Sequence, residues 1–488
     1  MNSEIGVTRR LALSETAGRW VLAATVLGSG MALLDTTTVT VALPAIGRQL
    51  GGGVTTLQWV LAAYLVTFGG LVLLGGAVAD VIGRERAFLI GAAGFGVTSA
   101  LCGVAPTGST LVIARLLQGA AAGLLVPGSL GIVSTSFSAD ERGRVIATWS
   151  ALSGLATAAG PLLGGLLVDR AGWRWVFLIN VPLALVAVGA SLRNLPAHEA
   201  SARSLGDGLD LGGALTGTAG LGLTGFGLIQ APQLSHLLAA ACVLLGIGLL
   251  VAFAILESRQ ERPLLPLTLF EVRDFTVANL ATLLVYAALS STLFLVVVQL
   301  QDGSGYSALG AGAAIFPVTL LLLLLATRLG VLVRRFGARR LMTLGPLVAA
   351  LGLLLFSRVG APAAYATVVL PAAAVFGLGV VLTVAPLTST VLGSVASTRA
   401  AIASAVNNAI ARVAGLLAVA AMPLAAGLSG SNPTPAAGTA AAAADTLGHG
   451  FHRAMLLATL LCVAAAAVSF IGLRHKRDAP AVSPLPAR

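Results

Sequence analysis

Charge is scarce in this sequence. Only 10% of its 488 residues are Asp, Glu, Lys or Arg, against about 25% in soluble domains, which excludes a water-soluble globular enzyme. Sulfur and imidazole are scarce too. Cys102, Cys242 and Cys462 fall in three different apolar runs with no paired spacing. His198, His236, His449, His452 and His475 lie in loops or near run ends. Neither a disulfide framework nor a metal site is expected from such spacing, and no catalytic apparatus is visible. A phosphate-binding GxxxxGK[ST] loop is missing, so the chain has no ATP site of its own. No cofactor is expected, and any work the protein does must draw on a gradient.

What the sequence has instead is apolar length. Hydrophobic residues make up 57% of the chain, about 278 residues, enough for about fourteen spans of the roughly 20 residues a bilayer core requires. Apolar runs recur at 20–45, 59–79, 88–105, 110–133, 146–168, 175–192, 210–229, 236–256, 275–299, 308–327, 341–359, 364–388, 400–424 and 453–473. The expected fold is an all-α integral membrane protein of fourteen transmembrane helices. The first run, preceded by Arg9, Arg10 and Arg19, is too long for a signal-peptide core and reads as an uncleaved first helix.

The formal charge of +11 raises nucleic acid as a partner. Its 29 basic residues, all Arg except Lys476, are instead spread over short connections without a dense stripe, so no nucleic-acid partner is expected. With the N-terminus inside, 22 basic residues fall in inner segments, five in outer ones and two, Arg115 and Arg412, within spans. That asymmetry predicts a multi-pass protein of the cytoplasmic membrane with both termini cytoplasmic. The spacer 193–209 and the charged segment 257–274 bracket an accessory pair of helices at 210–256. The expected organisation is therefore a six-helix half over 1–192, a linker with two accessory helices over 193–274, and a second six-helix half over 275–488. The connection 425–452, with Ser431, Asn432, Pro433 and Pro435, is expected to be irregular.

An internal echo supports the division. Gly76 to Arg86 is matched by Gly330 to Arg340 in the frame GxxxZxxGxxR, Z being charged. Each copy follows the second helix of its half, as expected of halves related by an axis along the membrane normal.

Of eighteen acidic residues, only Asp35 lies well inside a span. Burying a carboxylate there costs at least a few kcal/mol, which favours a protonation or cation site facing a cavity over a merely structural residue. Asp35 lies roughly 14 Å and Arg115 roughly 7 Å from the same membrane face, a difference that an arginine side chain can bridge. Arg115 is thus its expected partner, either for coupling or for structure alone. Thr36, Thr38 and Thr40, with Gln118 nearby, are candidates for a substrate cavity, although the threonines could equally bond back to their own helix. Asn407, Asn408 and Arg412 place a second polar cluster in the thirteenth run, as a cavity wall or gate partner. The other cavity positions are expected to be Ala, Leu, Gly and Thr, with poor polar selectivity. Gly154, Gly160, Pro161, Gly164 and Gly165 predict a kinked, closely packed fifth helix. Gly76, Asp80, Gly83, Arg84 and Arg86 form a tight turn whose charges either gate the halves, with the start of the thirteenth run near Arg399 as the helix N-terminus facing Asp80, or merely set topology.

Together these segments resemble the fourteen-helix drug:proton antiporter branch of the major facilitator superfamily. The resemblance rests on Leu34–Pro44, Gly76–Arg86, Arg115–Gly119, Gly160–Gly165 and Trp173–Pro182 and covers nearly the whole chain. It implies a major facilitator fold and a proton-coupled exporter of small lipophilic or cationic drugs or antibiotics. Asp35 would be the proton-linked acid, Arg115 its coupled arginine, Asp80 with Arg84 the cytoplasmic gate, and Gly160-Pro161 the antiporter motif. The chain departs from the family pattern at Thr38, Thr40, Val81 and Glu85. The expected partners are a small-molecule substrate, protons and the lipid bilayer, with the protein a monomer. Two other readings share these features: a facilitator or importer of a small metabolite, and a transport-inactive membrane sensor or scaffold.

Overall fold

The computed structural model describes residues 11–194, 210–260, 263–360, 363–396, 399–428 and 440–473. They form a helical bundle with no strand among the described residues, only an isolated bridge between Leu11 and Phe137. The helices are α1 (Thr16–Leu50), α2 (Gly53–Ile82), α3 (Arg84–Val104), α4 (Gly108–Ser136), α5 (Ala139–Ala171) and α6 (Arg174–Asn194). Then come α7 (Leu211–Ile229), α8 (His236–Arg259), α9 (Arg273–Val298), α10 (Ala308–Phe336), α11 (Ala338–Phe356), α12 (Leu370–Gly393), α13 (Ala400–Ala425) and α14 (Ala440–Gly472). A π-helical turn, Gln299–Gly303, continues α9, and another, Tyr365–Val369, leads into α12.

Thirteen helices among the described residues are long and apolar enough to cross a membrane. Of the fourteen expected runs, the exception is α7. It is helical throughout, but seven glycines and three threonines in its 19 residues dilute its apolarity. Those glycines serve close packing: a Cβ at Gly220 would lie 3.0 Å from the Gly246 carbonyl oxygen of α8. The connection expected to be irregular over 425–452 is shorter than that, because α14 starts at Ala440. Its alanine run is the strongest helix-forming stretch available. Residues 429–439, with Ser431 to Pro435, lie outside the described residues, as do 195–209 of the spacer and both chain ends.

Helix contacts fall into two sets. Within α1–α6 the main pairs are α2 with α4, α3 with α4 and α1 with α5; within α9–α14 they are α11 with α12, α11 with α14 and α9 with α14. The sets meet through α5 against α10 and α2 against α13. Each seam pairs the fifth helix of one set with the second of the other. The α7–α8 hairpin packs beside α2 and α13, flanking one seam. The turns after α2 and α10 both carry a left-handed glycine, Gly83 at φ 94° and Gly337 at φ 81°, so the repeated frame has the same backbone bend in both places.

The near end of the bundle is the one where α1 starts; the far end is where α1 stops. At the far end one apolar cluster runs through both sets, joining Val39, Leu57 and Phe177 to Phe294, Ile315 and Phe376. Away from that end the core forms two further clusters, the first of which reaches across to α13 at Ala409, Leu416 and Ala420. Phe88, Phe95 and Phe137 centre one cluster, and Phe275, Met342 and Leu387 another. Polar contacts follow the same gradient. Arg48 pairs with Asp302 at 2.8 Å, and Gln301 donates to the Val41 carbonyl at 2.9 Å. The Asp169 carboxylate of α5 accepts the backbone N–H groups of Ala308 (3.1 Å) and Leu309 (2.9 Å), capping α10 across the seam. The bundle is thus fastened at its far end.

Close helix approach through glycine generates a prediction. A Cβ at Gly379 of α12 would lie 2.1 Å from the backbone nitrogen of Ala349 in α11. Gly379→Val should therefore cost at least about 1–3 kcal/mol and lower the thermal midpoint of the detergent-solubilised protein. Gly248→Ala, where nothing lies within 4 Å, should leave the midpoint unchanged or raise it.

Candidate functional site

Asp35 lies mid-helix in α1 and Arg115 on α4; both side chains are fully buried. Arg115 Nη1 contacts Asp35 Oδ2 directly in an ion pair. The same Nη1 donates to Gln118 Oε1 at 2.7 Å, and Nε donates to the Val60 carbonyl at 3.0 Å. Gln118 Nε2 donates to Asp35 Oδ1 at 3.0 Å and to Ser99 Oγ at 2.8 Å. Asn180 Nδ2 of α6 reaches Asp35 Oδ1 at 3.3 Å. The guanidinium lies over the Tyr64 ring at 4.3 Å, and Tyr64 in turn donates its hydroxyl to the Ala32 carbonyl. One carboxylate is therefore held by donors from α4 and α6, and its cation packs against the rings of Tyr64 and Phe177. Each buried charge is thus met by the other and by polar groups of the protein.

Sequence reasoning found Asp35, Arg115 and Gln118 but assigned no role to Asn180, Ser99 or Tyr64. Asn180 and Ser99 each carry the signal that singled out Asp35, a polar side chain inside an apolar run. A short amide or hydroxyl can bond its own helix, so the signal is weaker for them. A break in α6 at Ile179 precedes Asn180.

Beside this cage lies a central cavity of about 100 Å³ at the junction of α1, α2, α5, α9, α10 and α13. Thr36, Thr40, Arg115, Pro161 and Arg412 line it, joined by Tyr64, Tyr286 and Ser290. The lining is more aromatic and more basic than the expected Ala, Leu, Gly and Thr. Several expected cavity residues sit elsewhere. Thr38 is buried against α5, where a Cβ on Gly164 would lie 2.8 Å from its Cα. Gln118 belongs to the Asp35 cage. Asn407 donates to Asn279 Oδ1 (3.0 Å) and Thr282 Oγ1 (2.7 Å) of α9, and Asn408 is exposed. Helical phase explains the misplacement: Asn407 and Arg412 are five residues apart, so they point to different sides of α13. All three threonines of the set bond back to carbonyls one turn earlier.

The glycines of α5 form a two-sided seam. A Cβ on Gly160 would collide with Thr37 Oγ1 of α1, and one on Gly165 would lie 2.6 Å from the Ala308 carbonyl oxygen of α10. Pro161 faces α10 too, its carbonyl oxygen being 2.1 Å from where a Cβ on Gly312 would sit. Gly154 has nothing within 4 Å and takes no part in this packing. At the near end, Arg84 Nη2 pairs with Asp80 at 3.1 Å and Nη1 donates to the Gly131 carbonyl at 3.2 Å, joining the turn after α2 to α4. The described bond of Asp80 is to Arg84 rather than to the start of α13 near Arg399. A Cβ added at Gly76 would come no closer than 3.9 Å to Pro127, and Arg86 is exposed. All three cysteines are free, and Cys102 touches Gln118 at 3.5 Å.

Comparison with known proteins gives concordant matches. Residues 25–419 match the Major Facilitator Superfamily. The chain is 34% identical to the Puromycin resistance protein pur8 of Streptomyces alboniger, over 94% of this chain and 92% of that one. It is 35% identical to the Cephamycin export protein CmcT of Amycolatopsis lactamdurans, over 89% of each. Among solved structures it superposes with TM-score 0.68 and 17% identity on a bacterial homologue of the human lysosomal transporter Spinster in an inward-facing, unoccupied conformation, covering 94% of this chain and 97% of that one. This last likeness concerns the fold alone.

The cage predicts an asymmetry in stability. Arg115→Met leaves a buried carboxylate without its cation and should destabilise the protein by about 3–5 kcal/mol. Adding Asp35→Asn to that variant should restore part of the loss. A thermal-midpoint double-mutant cycle in detergent reads this as a coupling well above the few tenths of a kcal/mol seen for independent sites.

Proposed function

The chain belongs to the Major Facilitator Superfamily and is a multi-pass membrane transporter, not an enzyme; from that premise we propose that it exports small lipophilic drug-like or antibiotic molecules across the cytoplasmic membrane in exchange for protons. The observation that carries the reading is the Asp35–Arg115 cage beside the central cavity. The names of its relatives, puromycin resistance and cephamycin export, support the direction of transport and the substrate size.

In this mechanism the chain places both termini in the cytoplasm, so the near end is cytoplasmic and the far end external. The state described is then fastened on the outside by the Arg48–Asp302 and Asp169 contacts. A cavity of about 100 Å³ is below the roughly 300–1,000 Å³ of a drug-sized site, so substrate entry parts the halves further at the near end. Exchange then proceeds by rocking about the two seams, α5 against α10 and α2 against α13. The exposed Arg48–Asp302 pair is worth only about 0–1 kcal/mol, weak enough to break in each cycle. Opening to the outside hydrates Asp35, a proton from that side neutralises it, and Arg115 is released from the pair. Return to the inward state restores a low dielectric around the carboxyl, and its proton leaves to the cytoplasm when Arg115 re-forms the contact. The proton gradient is the energy source, with no other cofactor. The protein works as a monomer, since each chain carries the whole pathway. The cavity lining supports the lipophilic part of the expected substrate range and offers a cation no carboxylate.

Purified protein in liposomes containing a pH dye tests this. With an imposed proton gradient, a transported antibiotic should drive proton movement in the wild type, and Asp35→Asn should lower that flux at least about tenfold, the loss expected when a group essential to one step is removed. Normal proton-driven export by the variant would refute the assignment. Downhill movement of substrate with no proton flux in either protein would identify a facilitator.

A further inference from the structure

The central cavity carries a charge that the Asp35 cage does not neutralise. Among the described residues two cations, Arg115 and Arg412, reach its lining, and no Asp or Glu does. Arg115 is cancelled at contact by Asp35. Arg412, on α13, lies over the Phe68 ring at 4.8 Å. Its Nε is buried without a hydrogen-bond partner, and no ion pair among the described residues includes it. The hydroxyls of Thr36, Thr37 and Thr40 already donate to carbonyls of their own helix. Arg115 Nη2 is likewise buried without a partner, but its charge is met by Asp35, so among the described residues Arg412 is the uncompensated cation facing the cavity, in a wall otherwise built mainly of Leu, Val, Ile and Tyr side chains.

A guanidinium in such surroundings attracts a counter-ion. Its planar fork matches a carboxylate bidentately, and the low dielectric strengthens the pairing. The Phe68 face already screens one side of the group, leaving the other towards the cavity. We propose that Arg412 is the recognition point for acidic substrates: the cavity takes apolar aromatic molecules bearing an ionised carboxyl or acidic phenol, and it disfavours quaternary ammonium compounds. This rests on the export reading above and sharpens its substrate class. It also fits the electrical driving force, because an anion leaving a cell with a negative interior moves with the membrane potential. Protonation of Asp35 frees Arg115 and makes the cavity more positive, so the anion and the proton do not compete by charge. Their exchange is enforced by the alternation of the two halves.

Three probes of one shape test the proposal: anthraquinone-2-carboxylate, its methyl ester, and the trimethylammonium-methyl analogue. Each is titrated at equilibrium against the full-length protein in lipid nanodiscs at neutral pH. The carboxylate should bind at least about tenfold more tightly than the ester, the size of effect a charge-assisted hydrogen bond produces, with the ammonium weakest. Arg412→Gln should remove at least about tenfold of the carboxylate affinity while leaving the ester within about twofold, and Arg412→Lys, which keeps the charge but loses the bidentate fork, should fall between the two. A merely structural role for Arg412 would weaken all three probes alike and overturns the proposal. So does ammonium binding equal to that of the carboxylate, or no carboxylate binding up to about 1 mM, where a specific site would already be half filled at an affinity of about 4 kcal/mol. The titration uses no gradient, so failure of proton coupling in the Asp35→Asn experiment leaves this result standing. Proton-driven export of the ammonium probe, unchanged in Arg412→Gln, would sink the substrate class and leave export intact.

Discussion

A carboxylate in the middle of a membrane helix must be satisfied by protein, because lipid offers it nothing. Asp35 meets that demand with Arg115, Gln118 and Asn180, drawn from α4 and α6. The cost of leaving any of these groups unpaired constrains the helices around them. Residue α4 118 is a glutamine that bonds Asp35, Arg115 and Ser99 together, and Tyr64 packs its ring on the guanidinium. The first set of helices is organised around this pair, which lies beside the cavity.

The second constraint is steric. Helices that must slide or rock need backbones in near contact with few interlocking side chains, and α5 supplies them with Gly160, Gly164 and Gly165 against α1 and α10. Hydrophobic packing cannot drive helix association in lipid as it does in water, so close van der Waals contact and a few polar fasteners carry the assembly. The fasteners concentrate at the far end, where Asp169 caps α10 and Gln301 reaches Val41. Away from that end the apolar core forms two further clusters, one of which still reaches from α2 to α13 at Ala409, Leu416 and Ala420.

Much of this was legible in the residues. The helical class, the span positions and the pairing of Asp35 with Arg115 follow from apolar run length and from the expense of buried charge. The left-handed bends at Gly83 and Gly337 confirm in backbone geometry the repeat read from the GxxxZxxGxxR frame. The cavity was less legible. Thr38, Gln118 and Asn407 were reasonable polar candidates, yet each turns to another helix, because membership of the same helix does not specify which neighbour a side chain faces. Gly154 shares the composition of the α5 motif without its close contacts. Arg412 was found, but its lack of a counter-ion is a property of the surrounding six helices.

The amino-acid sequence by itself determined that this chain is a helical membrane protein and which buried charges it had to reconcile. Local composition is enough for that, since hydrocarbon penalises every exposed backbone group and every unpaired ion in the same way. Only the tertiary structure decided which polar residues share the Asp35 cage, which face the central cavity, and that Arg412 is left there without a carboxylate. Those outcomes depend on helix rotation and on contacts between segments more than a hundred residues apart, such as Asn180 with Asp35 and Arg412 with Phe68, and no local pattern encodes them.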